Sequence, residues 1–206
     1  MRKLTGFLLS AMLLLSSGSA WAEGFEVIPF VGYRFGGGLS SLSGVQKFDT
    51  EDTFSFGAAL DYVLQSNDAV EVYWGHFSGD AEATLALGPK ITSTLNRDDI
   101  MLNGIWYLGS GLNPTRPYFS LGLGASILNG ENTDTVGRFA WSIGGGIRRD
   151  ANERVSIRLD SRWIPSWVTT GSGVWCDPFY GCFTTATGEY YDQFEVSLGL
   201  ILKLGG

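Results

Sequence analysis

The strongest constraint in this chain is a two-residue alternation. In RVSIRLDSRW, residues 154–163, Val155, Ile157, Leu159 and Trp163 share one face of an extended strand, while Arg158, Asp160 and Arg162 crowd the other. A water-soluble sheet turns such charges to solvent and its aliphatic residues to a core. Which face is the inside therefore decides the class of fold.

The same parity recurs along the chain. In 53–64 the even positions Phe54, Phe56, Ala58, Leu60, Tyr62 and Leu64 are apolar, and near the end Phe194, Val196, Leu198, Leu200, Leu202 and Leu204 oppose Gln193, Glu195, Ser197, Gly199, Ile201 and Lys203. The apolar face is bulky on every segment. The other face is Gly, Ser and charge, including Gly32, Gly57, Gly75, Gly122, Gly124, Gly144, Gly146 and Gly199, and such a set cannot close-pack as a hydrophobic core. Lipid, not protein, is then what covers the apolar face.

Eight alternating segments follow from this pattern, at 25–36, 53–64, 69–79, 95–108, 117–128, 137–149, 154–168 and 190–204, each close to the length a tilted strand needs to cross a bilayer. The connections 65–68, 109–116 and 150–153 are short, and 37–52, 80–94, 129–136 and 169–189 are mostly longer. Short turns on one side and long loops on the other predict an all-β, eight-stranded antiparallel up-and-down transmembrane β-barrel, with short turns and both termini on the periplasmic side. One domain, 23–206, accounts for the whole alternating pattern.

Residues 1–22, MRKLTGFLLSAMLLLSSGSAWA, read as a secretory signal peptide: a basic start, an apolar run and small residues before Glu23. The run falls short of the roughly 20 apolar residues of a membrane-spanning helix. Removing it leaves 12 bases against 21 acids, a formal charge of −9, which argues against nucleic acid as a partner. The expected location is the outer membrane of a Gram-negative bacterium, where the compartment is oxidising. There Cys176 and Cys182, in VWCDPFYGC, are expected to close a local disulfide. Two cysteines without nearby His fall short of a metal site.

An eight-stranded barrel has room inside only for side chains. The charges on the polar face balance, Glu26, Asp61, Glu71, Asp99, Asp160 and Glu195 against Arg34, Arg138, Arg148, Arg158, Arg162 and Lys203. An unpaired buried charge is destabilising by several kcal/mol, so these twelve are expected to pair within the barrel. Aromatic residues gather at segment ends on the outward face: Tyr33, Phe35, Phe54, Phe56, Trp74, Phe139, Trp141, Trp163 and Trp167 towards the long loops, Tyr62 and Trp106 towards the turns. That placement fits interfacial girdles.

On FSFGAALDYVL, YFSLGLGASIL, WSIGGGIRRDANERVSIRLDSRW and FEVSLGLILKL the chain resembles the small OmpA/OmpX-type outer-membrane proteins, the outer membrane protein β-barrel domain family. The resemblance covers the mature chain and implies the barrel fold, a monomer, and insertion by the barrel-assembly machinery into lipid and lipopolysaccharide. It implies little about activity. The sequence closes on LKLGG, where such proteins usually end on an aromatic residue.

Candidate chemistry is sparse. The single histidine lies in WGHFSGD, with His76 and Ser78 on the outward face. This resembles the H-x-S motif of outer-membrane lipid A deacylases, which implies His76 as base and Ser78 as nucleophile. Gly79 stands where that family has Asn, and Asp80 and Glu82 stand at no recognisable family position. Glu51-Asp52 and Asp98-Asp99 are acidic positions that could hold a divalent cation near anionic lipopolysaccharide, with a solvated pair at a loop edge as the default reading. GPK at 88–90 and GLGAS at 122–126 do not complete a phosphate-binding loop, and no cofactor is expected.

The expected role is structural or recognition, through the loops at 37–52, 80–94 and 169–189 facing a host or ligand surface. The alternatives are a narrow small-solute pore and a lipid A-modifying hydrolase built on His76 and Ser78.

Overall fold

The computed structural model describes residues 24–36, 38–39, 45–65, 67–85, 90–109, 113–130, 135–168, 174–177, 181–184 and 189–204. The leader expected at 1–22 lies outside the described residues.

Eight long strands follow from the alternating segments: β1 (Phe25–Phe35), β2 (Thr53–Gln65), β3 (Asp68–Leu85), β4 (Lys90–Tyr107), β5 (Thr115–Gly130), β6 (Val136–Asp150), β7 (Val155–Trp163) and β8 (Phe194–Leu204). Each pairs antiparallel with its successor. β8 returns to β1, with Phe25 opposite Leu204 and Phe35 opposite Phe194. The sheet is a closed barrel.

The register fixes its shape. From Phe25 the cross-strand partners run through Tyr62, Val70, Gly104, Leu121, Ile143, Trp163 and Phe194 back to β1 at Phe35. The path gains ten residues (35 − 25) in one circuit. Eight strands with that stagger tilt by roughly 40° around a radius of about 8 Å, which leaves a lumen that side chains fill. At that tilt the 11 residues of β1 rise about 25 Å, the height of the apolar band on a bilayer-spanning barrel.

The faces are inverted relative to a soluble protein. Val31, Phe54, Phe56, Leu102, Leu123, Leu159 and Leu198 are each at least half exposed, whereas Arg34, Arg97, Asp61, Glu71 and Asp99 are buried. Small residues on the inner face make room for large ones. A side chain at Gly57 would meet the Phe30 ring and the Trp74 carbonyl, and Phe30 stacks on Tyr73 with ring centroids 5.1 Å apart.

Several expected boundaries change. The loop expected at 80–94 is mostly strand: β3 runs to Leu85 and β4 starts at Lys90, pairing from Asp80 opposite Thr94 to Thr84 opposite Lys90. Within 37–52, Gly38–Leu39 and Val45–Thr50 are paired, the latter onto β3. Within 169–189, Val174–Asp177 pairs with Gly181–Thr184, setting Cys176 opposite Cys182 in the backbone register. These extensions pair backbone groups beyond the apolar band; in 80–85 Asp80, Glu82 and Thr84 still alternate with Ala81, Ala83 and Leu85, whereas VQKFDT at 45–50 carries no such alternation.

The strands expected at 154–168 and 190–204 are each interrupted. β7 stops at Trp163, and Ser166–Val168 resumes its register with Ala140 of β6 and with Glu189–Tyr191. Pro165 has no N–H to give the ladder. Only its carbonyl takes part, accepting from Trp141 N at 3.2 Å, while Ile164 N donates to the Gln193 carbonyl at 2.8 Å.

Candidate functional site

Inward parity brings charged side chains from all eight strands into one lumen. They sort into three levels. At the turn end, Arg148 grips Glu26 with both terminal nitrogens, at 2.6 and 2.7 Å. Beside it Asp150 accepts from Ser156 at 2.5 Å and lies 3.1 Å from the Lys203 ammonium. Arg116 and Arg148 both lie over the Tyr107 ring.

The middle level centres on Arg158. Its guanidinium lies 2.6 Å from Glu71, 2.6 Å from Asp160 and 3.4 Å from Asp61. Arg162 reaches Glu71 at 3.0 Å and Asp160 at 3.1 Å. Tyr118 donates to Asp160 at 2.6 Å and Asn103 to Glu71 at 2.8 Å. These contacts tie β7 to β2 and β3 across the barrel, which backbone pairing alone does not do.

At the loop end Arg34 bridges Asp99 at 2.5 Å and Glu195 at 2.6 Å. Arg97 reaches Asp99 at 2.8 Å, and Ser126 donates to the same carboxylate. Ser55 and Tyr73 donate to Glu195 at 2.8 and 2.7 Å. Above them Tyr191 shares a 2.5 Å hydrogen bond with Thr50 and accepts from Gln193 at 3.2 Å. Tyr73 joins the levels: its hydroxyl serves Glu195 while its ring lies 4.3 Å below the Arg162 guanidinium.

Of the twelve expected charges, Glu26, Arg34, Asp61, Glu71, Asp99, Arg148, Arg158, Asp160, Arg162, Glu195 and Lys203 fall in these ion pairs, and Arg138 is buried at the loop end of β6. Lys203 is the least buried of the paired bases, and its partner is Asp150 rather than one of the twelve. Arg97, Arg116 and Asp150 join the lumen charges although the expected set omitted them. Arg97 has the parity of Asp99 and was legible on that ground, whereas Arg116 and Asp150 sit where strand passes into turn.

The outer face carries one polar contact of chemical interest. His76 and Asp98 are direct cross-strand partners on β3 and β4, with Nδ1 2.9 Å from the Asp98 carboxylate. Trp74 Nε1 donates to the same oxygen at 3.2 Å, and the Phe56 ring lies 5.2 Å from the imidazole. Ser78 lies two residues along the same face, exposed, with no hydrogen bond to His76. The carboxylate on the histidine is thus Asp98, not Asp80 or Glu82. Among the described residues no group of His, Cys, Asp and Glu could hold a metal ion.

No protein-family model matches the chain, and no curated protein matches it. Solved structures do. The outer membrane protein OprG from Pseudomonas aeruginosa aligns with a TM-score of 0.64 at 13% identity, over 91% of this chain and 99% of that one. Outer membrane protein AlkL, solved in DMPC lipid bilayers, aligns at 0.59 and 20% identity, over 93% and 96%. Neisserial surface protein A aligns at 0.55 and 13% identity, over 88% and 97%. Likeness at these identities speaks to fold: the chain has the closed antiparallel barrel fold of the small eight-stranded outer-membrane proteins.

Proposed function

We propose that this chain is an integral outer-membrane barrel, exported with a cleaved leader, that serves as a rigid scaffold for surface recognition by its outer connections. The observation that carries this reading is the filled lumen, where paired charges and rings take the space a solute would need. Scaffolds that hold variable loops commonly divide labour this way. The outer connections and hairpin extensions, 36–52, 80–94, 129–137 and 164–193, hold ten acids and two bases. Their net charge of −8 (2 − 10) is nearly all of the −9 carried by residues 23–206, so a cationic surface is the complementary partner.

The reading includes a monomer inserted by the barrel-assembly machinery, with lipopolysaccharide around its loop-end aromatic residues. It is tested by fractionation, heat-modifiable gel migration and binding of whole cells to cationic and neutral surfaces. Outer-membrane recovery with preference for the cationic surface supports it, and extraction with the soluble periplasm ends it. A narrow pore asks that the Arg158 cluster be opened.

The His76–Asp98 contact favours a second reading, a hydrolase acting on acyl esters of lipid A. Asp98 would hold the imidazole by Nδ1, leaving Nε2 to take the Ser78 proton as the hydroxyl attacks the ester carbonyl. Mass spectrometry of lipid A from cells expressing the protein, its Ser78→Ala variant or neither tests this. Identical acylation in all three removes it.

A further inference from the structure

Two described arginines stand apart from every ion pair. Arg34, Arg97, Arg116, Arg148, Arg158 and Arg162 each have a carboxylate partner, and Arg138 has a further interaction of its own. Among the described residues Arg149 and Arg154 have no carboxylate within ion-pairing distance, and both are exposed. They flank one turn, between β6 and β7.

Their level follows from the stagger. β6 lies five strands on from β1, so at ten residues per eight-strand circuit Ile143 stands about six residues' rise above Phe25. Arg149, six positions down β6 from Ile143 (149 − 143), returns to the level of Phe25. The rings that mark that end of the apolar band are there too: Phe25 against Tyr62 and Trp106 against Phe119, each with centroids 4.8 Å apart.

Strand parity turns Arg149 outward, two residues below the exposed Ile147 and opposite the exposed Ile157. Arg154 follows in the turn, where Asn152 Oδ1 accepts from the backbone N–H groups of Arg154 and Val155 at 2.9 and 2.8 Å and fixes the chain. The nearby acids do not neutralise the pair: Asp150 points inward to Arg148 and Lys203, and Glu153 forms no bridge to either.

We propose that Arg149 and Arg154 bind the phosphate of an anionic phospholipid in the periplasmic leaflet, making the β6–β7 turn a lipid-headgroup site. A guanidinium at the headgroup plane offers paired N–H groups to phosphate oxygens while its stem lies along acyl chain. A strongly acidic chain that leaves two arginines unpaired at this one level has charge complementarity there, and no other described side chain on its outer face is an unpaired base. The inference rests on the barrel occupying a bilayer and is independent of what the outer connections recognise.

The test uses the full chain in nanodiscs of equal parts phosphatidylcholine and phosphatidylglycerol, with the lipids that stay bound identified by native mass spectrometry. Phosphatidylglycerol is expected to be retained preferentially, and the preference to fall about fivefold for each arginine lost in Arg149→Gln and Arg154→Gln. Arg149→Lys with Arg154→Lys is expected to keep part of it, and Lys47→Gln with Lys90→Gln all of it. Equal retention in wild type and the double glutamine variant overturns the site, as does an equal loss in the Lys47 and Lys90 variant. Displacement of the lipid by inorganic phosphate overturns the assignment to lipid. A chain that fails to enter the nanodisc overturns the barrel reading and the site with it, which separates the two failures.

Discussion

Arg158 on β7 and Glu71 on β3 meet across the lumen, Nη1 to Oε2 at 2.6 Å, with both side chains almost wholly shut off from solvent. The same guanidinium holds Asp160 and Asp61. Arg158→Ala would leave Glu71 and Asp160 with Arg162 alone and take from Asp61 the guanidinium it meets at 3.4 Å, and breaking a buried cluster from one side costs roughly 3–5 kcal/mol. Urea unfolding in lipid vesicles is expected to show that loss, with little dependence on salt because the cluster is buried.

The small inner-face positions are as constrained as the charges. A Cβ at Gly57 meets backbone as well as ring atoms, so Gly57→Val is expected to destabilise by about 1–3 kcal/mol or to block assembly. Gly137, where a Cβ meets nothing within 4 Å, is the control. Gly137→Ala is expected to leave heat-modifiable migration unchanged.

Much of this was legible in the sequence because a barrel wall states its two faces residue by residue. Parity alone places Arg158, Asp160 and Arg162 inside and Val155, Ile157 and Leu159 outside. Contacts between strands distant in the chain were not legible, since they depend on the stagger that sets Arg158 near Glu71 and Asp61. Asp98 was not legible as the partner of His76 for a related reason: cross-strand pairing joins them over 22 positions, while the carboxylates near His76 in sequence, Asp80 and Glu82, lie on the same strand as the histidine. The break at Pro165 was signalled by the proline itself, and the extension of β3 to Leu85 by the alternation of Asp80, Glu82 and Thr84 with Ala81, Ala83 and Leu85, which the loop expected at 80–94 passed over.

Cys176 and Cys182 face each other in the register of a hairpin outside the barrel wall. The prediction is a disulfide in protein recovered from the outer membrane. Alkylation under denaturing conditions should label neither cysteine until reductant is added. Because the hairpin lies beyond the barrel, Cys176→Ser with Cys182→Ser is expected to leave barrel unfolding unchanged while exposing 169–189 to protease.

Ser78 makes no side-chain hydrogen bond that the fold depends on; its backbone carbonyl accepts from Thr53 at 3.0 Å. Ser78→Ala is therefore expected to keep wild-type stability to within about 0.5 kcal/mol, the usual range for an exposed change. Any effect of that variant on lipid A acylation then reports chemistry and not folding. Asp98→Asn, which weakens the hold on His76, should match it if the hydrolase reading is right.

The central claim is that the protein is inverted, aliphatic side chains against lipid and guanidinium groups against carboxylates inside. Solid-state NMR of the labelled protein in bilayers tests both halves in one sample. The account predicts that Val155, Ile157 and Leu159 contact acyl-chain protons while the Arg158 guanidinium contacts the Glu71 carboxylate. Contact of those three aliphatic residues with side chains of other strands in a dry core, and of Arg158 with bulk water, would contradict it.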